Sequence, residues 1–101
     1  MDLFNKEKPV KICAPMVRYS KLAFRNLVRL YDCDLAFSPM ILADSFFMSA
    51  RARDSEFTTN SEDKPLIVQF AANNSHYFSS SAQLVSSYCS GVDLNCGCPQ
   101  R

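Results

Sequence analysis

Short apolar runs alternate with longer amphipathic stretches along the chain. Four β-favouring runs stop at a proline or a polar cluster and predict strands at 10–14, 33–37, 65–70 and 91–95. Apolar residues three and four positions apart predict helices at 20–31, 41–52 and about 74–88, and residues 53–64 lack periodicity and predict a loop. The predicted order is therefore βαβαβαβ.

Two polar features refine the helices. Ser20 and Asn74 stand at the positions of N-caps. Lys21, Arg25 and Arg29 recur four residues apart and predict a basic stripe on the outer side of the first helix. A solvated helix face is the commoner explanation of such a stripe, and a phosphate-facing surface is the alternative.

Strands that alternate with helices predict a parallel α/β sheet with right-handed crossovers. A doubly wound nucleotide fold would have a glycine-rich turn after its first strand, and the only glycines are Gly91 and Gly97. Four βα units are half of a TIM-type (β/α)8 barrel, which takes about 250 residues. We expect residues 1–101 to be the N-terminal half of such a barrel, ending before its remaining strands, and to self-associate through open sheet edges. Four inward-facing residues should be partly exposed: Ile12, Leu35, Ile67 and Val92.

The composition is that of an ordinary globular protein. The chain has 101 residues, 48% of them apolar and 21% charged, which excludes a disordered or fibrous protein. It lacks an apolar stretch long enough for a membrane span and a secretory leader, so we expect no membrane partner and a reducing location in the cytoplasm or nucleus. The net charge of +1 is unevenly distributed, with nine Lys or Arg against five Asp or Glu in residues 1–53 and two against five in 54–101.

The five cysteines predict free thiols. Their number is odd in a chain without an export signal. Cys13, Cys33 and Cys89 are expected to be small buried apolar residues. A zinc site formed by Cys89, Cys96, Cys98 and His76 is disfavoured, because structural zinc sites use pairs of cysteines spaced by two to four residues, so no metal is expected.

Chemistry in a barrel gathers at the carboxyl ends of the strands. Here those ends are 14–17, 38–40, 69–71 and 95–99, which contribute two Pro-Met turns and the side chains of Gln69 and Asn95. Amides are both donors and acceptors, and together with apolar turns they suit a flat, partly apolar ligand.

These strand ends also resemble a known family. The segments Ala14-Pro-Met-Val17, Pro65-Leu-Ile-Val-Gln69 and Asp93-Leu-Asn-Cys-Gly-Cys-Pro99 are similar to the tRNA-dihydrouridine synthases, most of all the eukaryotic four-like subgroup. The resemblance implies an FMN-binding barrel followed by a helical tRNA-binding domain. It also implies reduction of uridine in the D-loop of tRNA, of the 20a/20b type, with NADPH as the reductant.

The resemblance assigns roles to individual residues. Pro15, Met16 and Val17 match the turn that lies against the flavin, and Gln69 matches the glutamine that hydrogen-bonds the isoalloxazine ring. Asn95 matches an asparagine on the substrate side. Cys98 matches the cysteine that donates a proton to C5 of uracil after FMN has delivered hydride to C6.

Three questions stay open at this point. Dihydroorotate and dihydropyrimidine dehydrogenases also place Asn and Cys-Pro after strand four, but their Asn-x-Ser-Cys-Pro-Asn differs from residues 95–100. A non-catalytic fragment is the second alternative. The third concerns four cations as candidate contacts to tRNA phosphates: Arg18, Lys21, Arg25 and Arg29.

Overall fold

The structure is a computed structural model that describes residue 3 and residues 7–97. Within these residues, five strands and four helices follow one another as β1 (Ile12–Cys13), α1 (Leu22–Leu30), β2 (Leu35–Phe37), β3 (Ile41–Leu42), α2 (Ala43–Met48), α3 (Ala50–Glu56), β4 (Leu66–Ala71), α4 (Ser75–Val85) and β5 (Gly91–Leu94). In the part of the chain described, no helix has the length and apolar character needed to cross a membrane.

All strand pairings are parallel, as predicted. β1 pairs with β2, and β4 pairs with β2, β3 and β5. β2 and β3 lie along the same edge of β4, with Ala36 opposite Leu66 and Ile41 opposite Phe70. They act as one strand interrupted at 38–40, so neighbours in the sheet follow the chain order. This arrangement confirms an α/β fold of the kind found in the N-terminal part of a TIM-type barrel.

One face of the sheet carries the hydrophobic core. Leu66, Val68 and Phe70 of β4 are completely buried on this face, against α2 and α4. The ring of Phe46 in α2 meets that of Phe70 edge-on, with centroids 5.3 Å apart. Because burying a large apolar side chain contributes about 1.5 to 3 kcal/mol, these contacts fix the helices on this side of the sheet.

The other face of the sheet differs from the prediction at two of the four residues that were predicted to face inward and to be partly exposed. Ile12, Leu35 and Ile67 do share it, and Ile12 is 47% exposed as expected, but Leu35 is only 3% exposed. Val92 is exposed but pairs with Val68, so it lies on the helix-bearing face instead. Strand alternation decides this, because Gly91 and not Val92 is the register partner of Ile67.

The caps of the two long helices differ from each other. Asn74 caps α4 as predicted, its Oδ1 accepting a hydrogen bond from the backbone N of Tyr77 at 2.9 Å. Ser20 is not the N-cap of α1; that residue is Lys21, without a side-chain cap bond. The Ser20 Oγ instead accepts from Met16 N at 2.8 Å and donates to Met16 O at 3.1 Å, so it closes the preceding turn.

The predicted helix 41–52 is also corrected. Its first two residues form β3, and the rest divides into α2 and α3 at Ser49, whose backbone is extended and whose Oγ accepts from Ala52 N at 3.2 Å. Helix α3 continues into the predicted loop as far as Glu56. Arg53 donates from Nη1 to the carbonyls of Phe46 and Phe47, 2.9 Å each, and so ties α3 to the end of α2.

The predicted basic stripe does not exist as such, because Arg25 is buried. Its Nε lies 3.2 and 3.1 Å from the two carboxylate oxygens of Asp63, and its Nη2 donates to Asp63 Oδ2 at 2.7 Å. Arg29 forms a second ion pair with the same carboxylate. Burial alone raises the pKa of Asp63, but hydrogen bonds from Arg25 and Thr59 and the two arginine charges outweigh it and hold that pKa below its usual value.

Candidate functional site

The carboxyl ends of the strands meet at one edge of the sheet, here called the C-terminal rim, because the strands are parallel neighbours. Residues 15–17 follow β1, Gln69 stands in β4 and Asn95 follows β5 directly. The structure therefore brings to this rim all the predicted site residues it describes. Cys98 lies outside the described residues.

Gln69 is the centre of a polar network. The register of β4 and β5 places it opposite Asp93, on the face away from the helices. Gln69 Nε2 donates to Asp93 Oδ2 at 2.7 Å, and Gln69 Oε1 accepts from Asn95 Nδ2 at 3.2 Å. These two bonds fix which end of the Gln69 amide is the donor and which is the acceptor. Asp93 was not among the predicted site residues, although its position two residues before Asn95 puts both on one face of a strand.

Asn95 also shapes the segment that follows. Its backbone N donates to Phe70 O at 2.9 Å and so extends the pairing of β5 with β4 by one residue. Its Oδ1 accepts from the backbone N of Gly97 at 2.9 Å, which forms an Asx-type turn. Asn95 therefore links the orientation of Gln69 to the course of the chain just before Cys98.

Ser38 fixes the interruption between β2 and β3, a role that was not predicted from the sequence. This buried hydroxyl accepts from Gln69 N at 3.0 Å and donates to Pro39 O at 2.9 Å. It thereby replaces the backbone partner that β4 lacks where the neighbouring strand is broken. No sequence pattern marked this serine, because its role depends on a contact 31 residues away.

The Pro15–Met16–Val17 turn is the apolar side of the rim. Pro15 and Met16 are half-buried, and Val17 is 55% exposed. Val17 lines a cavity of about 330 Å³ together with Met40 and Leu42. Leu42 is the register partner of Ala71, two residues beyond Gln69 in β4, so this lining residue lies at the same rim as the polar network.

The remaining chemistry-bearing residues lie elsewhere. Burial raises the pKa of the Cys13 and Cys89 thiols, which favours their protonated form. Cys13 is buried as expected, whereas Cys33 and Cys89 are half-buried. Within residue 3 and residues 7–97, no group of three or more His, Cys, Asp or Glu side chains could hold a metal ion, and His76 packs its exposed ring against Phe47.

A larger cavity lies outside the site. Its volume is about 500 Å³, and its lining includes Phe46, Arg53, Phe57, Val85 and Tyr88. These residues come from the helix layer and the loop that follows it. None of the predicted site residues that the structure describes lines this cavity, so its size does not make it the functional site.

Comparison with known proteins gives a consistent set of relatives. The chain is 60% identical over 101 residues to the Homo sapiens protein named tRNA-dihydrouridine(20a/20b) synthase [NAD(P)+]-like. The aligned segment covers 100% of this chain and 32% of that protein. It is 50% identical over 92 residues to the Saccharomyces cerevisiae tRNA-dihydrouridine(20a/20b) synthase [NAD(P)+], with 91% of this chain and 25% of the relative covered. The yeast tRNA-dihydrouridine(16/17) synthase [NAD(P)(+)] is 45% identical over 103 residues, with 98% and 24% covered.

The chain thus spans a third or less of the length of these curated relatives. The family described as Dihydrouridine synthase (Dus) matches residues 12–101. That segment contains β1 to β5 and every residue of the polar network at the C-terminal rim. The chain belongs to the dihydrouridine synthase family.

Proposed function

We propose that the protein formed by this chain and the rest of its barrel reduces uridine in tRNA to 5,6-dihydrouridine, with FMN as cofactor. The observation that carries the proposal is the hydrogen-bonded network of Gln69, Asp93 and Asn95 at the C-terminal rim. The family match supports the tRNA reaction over the dihydroorotate and dihydropyrimidine alternatives.

The residues at the rim fit FMN. Gln69 uses one amide hydrogen on Asp93 and one lone pair on Asn95, so one donor and one acceptor remain for a ligand. The pyrimidine edge of an isoalloxazine ring offers the complementary N–H and carbonyl groups. Pro15, Met16 and Val17 supply the apolar surface that a flat ring requires. When bound, FMN supplies the hydride for reduction of the C5=C6 bond of uracil.

The chain's own residues then position the ligands and protonate the uracil. Asp93 orients the Gln69 amide, and Asn95, on the substrate side, sets the turn that leads to Cys98. We assign to Cys98 the donation of a proton to C5, since a thiol with a pKa of about 8.5 is protonated at neutral pH. Because the target base is stacked or paired in folded tRNA, it must be extruded to reach these groups.

The finer assignments belong to the same proposal. We propose uridines 20a and 20b as targets, supported by 50% identity to the Saccharomyces cerevisiae relative named for those positions against 45% to the one named for 16/17 in the same organism. NADPH is the proposed reductant. Residues 1–101 form the first half of the FMN-binding barrel, the part matching the rest of the relatives supplies the other strands and a helical tRNA-binding domain, and the protein works in the cytoplasm or nucleus.

A chimera tests the proposal. Residues 1–101 would replace the matching segment of the human relative, and the chimera would be expressed in yeast that lacks its own 20a/20b synthase. We expect dihydrouridine to return to purified tRNA, measured by mass spectrometry of its nucleosides. The chimera carrying C98A is the matched control. A chimera that binds flavin but leaves the tRNA unmodified would contradict the proposal.

One observation favours a second role for residues 1–101 in isolation, as a non-catalytic fragment that self-associates. Val92 and Leu94 of β5 are 38% and 41% exposed on the helix-bearing face, next to an unpaired edge of the described sheet. Such edges promote pairing between chains. We expect concentration-dependent association in sedimentation velocity, reduced by Val92→Lys, and no flavin absorbance. Stoichiometric FMN on the isolated chain would refute this role.

A further inference from the structure

We propose that Arg18, Tyr19 and Lys21, here called the rim patch, bind the RNA backbone and a base of the tRNA substrate. The inference rests on the proposed function for the identity of the RNA. Two of the four candidate cations, Arg18 and Lys21, belong to the patch, together with the aromatic side chain of Tyr19.

The rim patch lies next to the candidate site. Its residues follow Val17 in the loop that leaves β1 at the C-terminal rim. Val17 lines a cavity with Met40 and Leu42, and Leu42 pairs with Ala71, two residues beyond Gln69 in β4. The rim patch therefore follows directly in the chain on a residue of the rim at which a nucleic acid would deliver a base.

The loop that carries the patch has a defined conformation. The Ser20 hydroxyl bonds both the N–H and the carbonyl of Met16, and the N–H groups of Tyr19 and Ser20 donate to the same carbonyl at 3.0 and 2.9 Å. Arg18 occupies the left-handed region with φ of 74°. An L-residue pays about 1 to 2 kcal/mol for that conformation, so glycine would be the conformationally easier choice there. The loop carries an arginine instead.

The two charges of the rim patch are available to bind phosphates, in contrast to those of three other cations, which form ion pairs. Arg25 and Arg29 are paired with Asp63, and Lys11 pairs with Asp32 at 2.7 Å. In the part of the chain that the structure describes, Arg18 and Lys21 form no ion pair, and the first turn of α1 carries no acidic residue.

Tyr19 completes the chemistry. It is 69% exposed and stands between the two cations in the sequence, so its ring is free to stack on a base. Guanidinium and ammonium groups bind phosphates without sequence preference, and aromatic rings stack on unpaired bases. Two cations flanking an exposed ring thus fit a single-stranded loop of RNA, such as one from which a base has been extruded, better than they fit an apolar partner.

The test measures binding and not turnover. The chain, and in parallel the chimera described above, would be titrated with a fluorescein-labelled, unmodified tRNA transcript at several salt concentrations, and anisotropy would be recorded. Arg18→Gly removes the guanidinium while relieving the left-handed backbone, so we expect the thermal midpoint to stay within about 3 °C. We expect this variant and Lys21→Ala each to weaken tRNA binding about fivefold and to reduce the salt slope by about one.

Tyr19→Ala should weaken binding by about fivefold or more with an unchanged salt slope, since stacking is not ionic, and Tyr19→Phe should retain the affinity. Lys64→Ala is the matched control, an exposed cation at the opposite end of β4. Equal losses for Lys64→Ala and Lys21→Ala, full affinity of the rim-patch variants, or no tRNA binding at low salt would each overturn the inference. Because this test measures no reaction, its outcome is separate from that of the proposed function. A chimera that binds tRNA through the patch but makes no dihydrouridine would contradict the proposed function and leave this inference standing.

Discussion

Arg25 and Asp63 stand 38 residues apart in sequence and face each other in the interior, with only 1% and 0% of their surfaces exposed. The pair joins α1 to the segment that leads into β4. Arg25 further donates to the carbonyls of Ser20 and Thr58 at 2.7 and 2.8 Å, so its guanidinium links the start of α1 with the loop after α3. The strand that carries Gln69 is therefore positioned partly by a buried ion pair.

Asp63→Asn should destabilise the chain strongly. The substitution leaves Arg25 buried without a counter-charge and deprives Arg29 of its ion-pair partner, and breaking a buried pair in this way costs about 3 to 5 kcal/mol. Urea unfolding followed by circular dichroism measures the effect. Lys11→Ala breaks the exposed pair with Asp32 and is the control, with little change expected in the urea midpoint. Equal effects of the two substitutions would mean that the buried pair does not stabilise the fold.

We expect the folded chain to lose stability in acid because of the Asp63 carboxylate. The pKa of Asp63 is lower in the folded protein than in the unfolded chain, where it is about 3.9. Its contribution is therefore fully present above that unfolded value and is lost as the pH falls through the folded one. At pH values below about 4, we expect the urea concentration at the unfolding midpoint to decrease. In Asp63→Asn this decrease should be smaller. Identical pH profiles for the two proteins would contradict this assignment.

The alternation of strands and helices could be predicted because it depends on local patterns. The shared location of the Pro-Met turns and the two amide residues could be predicted from this alternation, since parallel strands bring their carboxyl ends together. The buried role of Arg25 could not be predicted, because its spacing with Lys21 and Arg29 is that of a solvated stripe and its partner is distant in sequence. The two-residue β3 was too short to show a pattern.

Asp93→Ala in the chimera tests the orienting role of this carboxylate. Without it only the bond from Asn95 orients the Gln69 amide, so we expect FMN affinity to fall about tenfold, an effect comparable to the loss of one hydrogen bond to a charged group. Quenching of flavin fluorescence gives the affinity. Asp54→Ala, an exposed carboxylate that lines the cavity of the helix layer, is the matched control. Unchanged FMN binding in Asp93→Ala would remove Asp93 from the site.

The two cysteines after β5 should respond differently to substitution. Cys98→Ala in the chimera is expected to lower the rate of dihydrouridine formation by about 10² to 10⁴, the usual contribution of a general acid, while the bound flavin remains. Cys96 is exposed, and its Sγ lies 3.7 Å from the carbonyl of Leu94. Cys96→Ala should therefore retain most of the activity. Loss of activity in Cys96→Ala with full activity in Cys98→Ala would reverse the assignment.

A crystal structure of the chimera with FMN would show where the flavin binds. We expect the Gln69 amide to hydrogen-bond the pyrimidine edge of the flavin, Pro15–Val17 to lie against the ring, and the Cys98 thiol to face the opposite side of the substrate pocket. A flavin bound away from the C-terminal rim, with Gln69 bonded only to Asp93 and Asn95, would contradict this expectation.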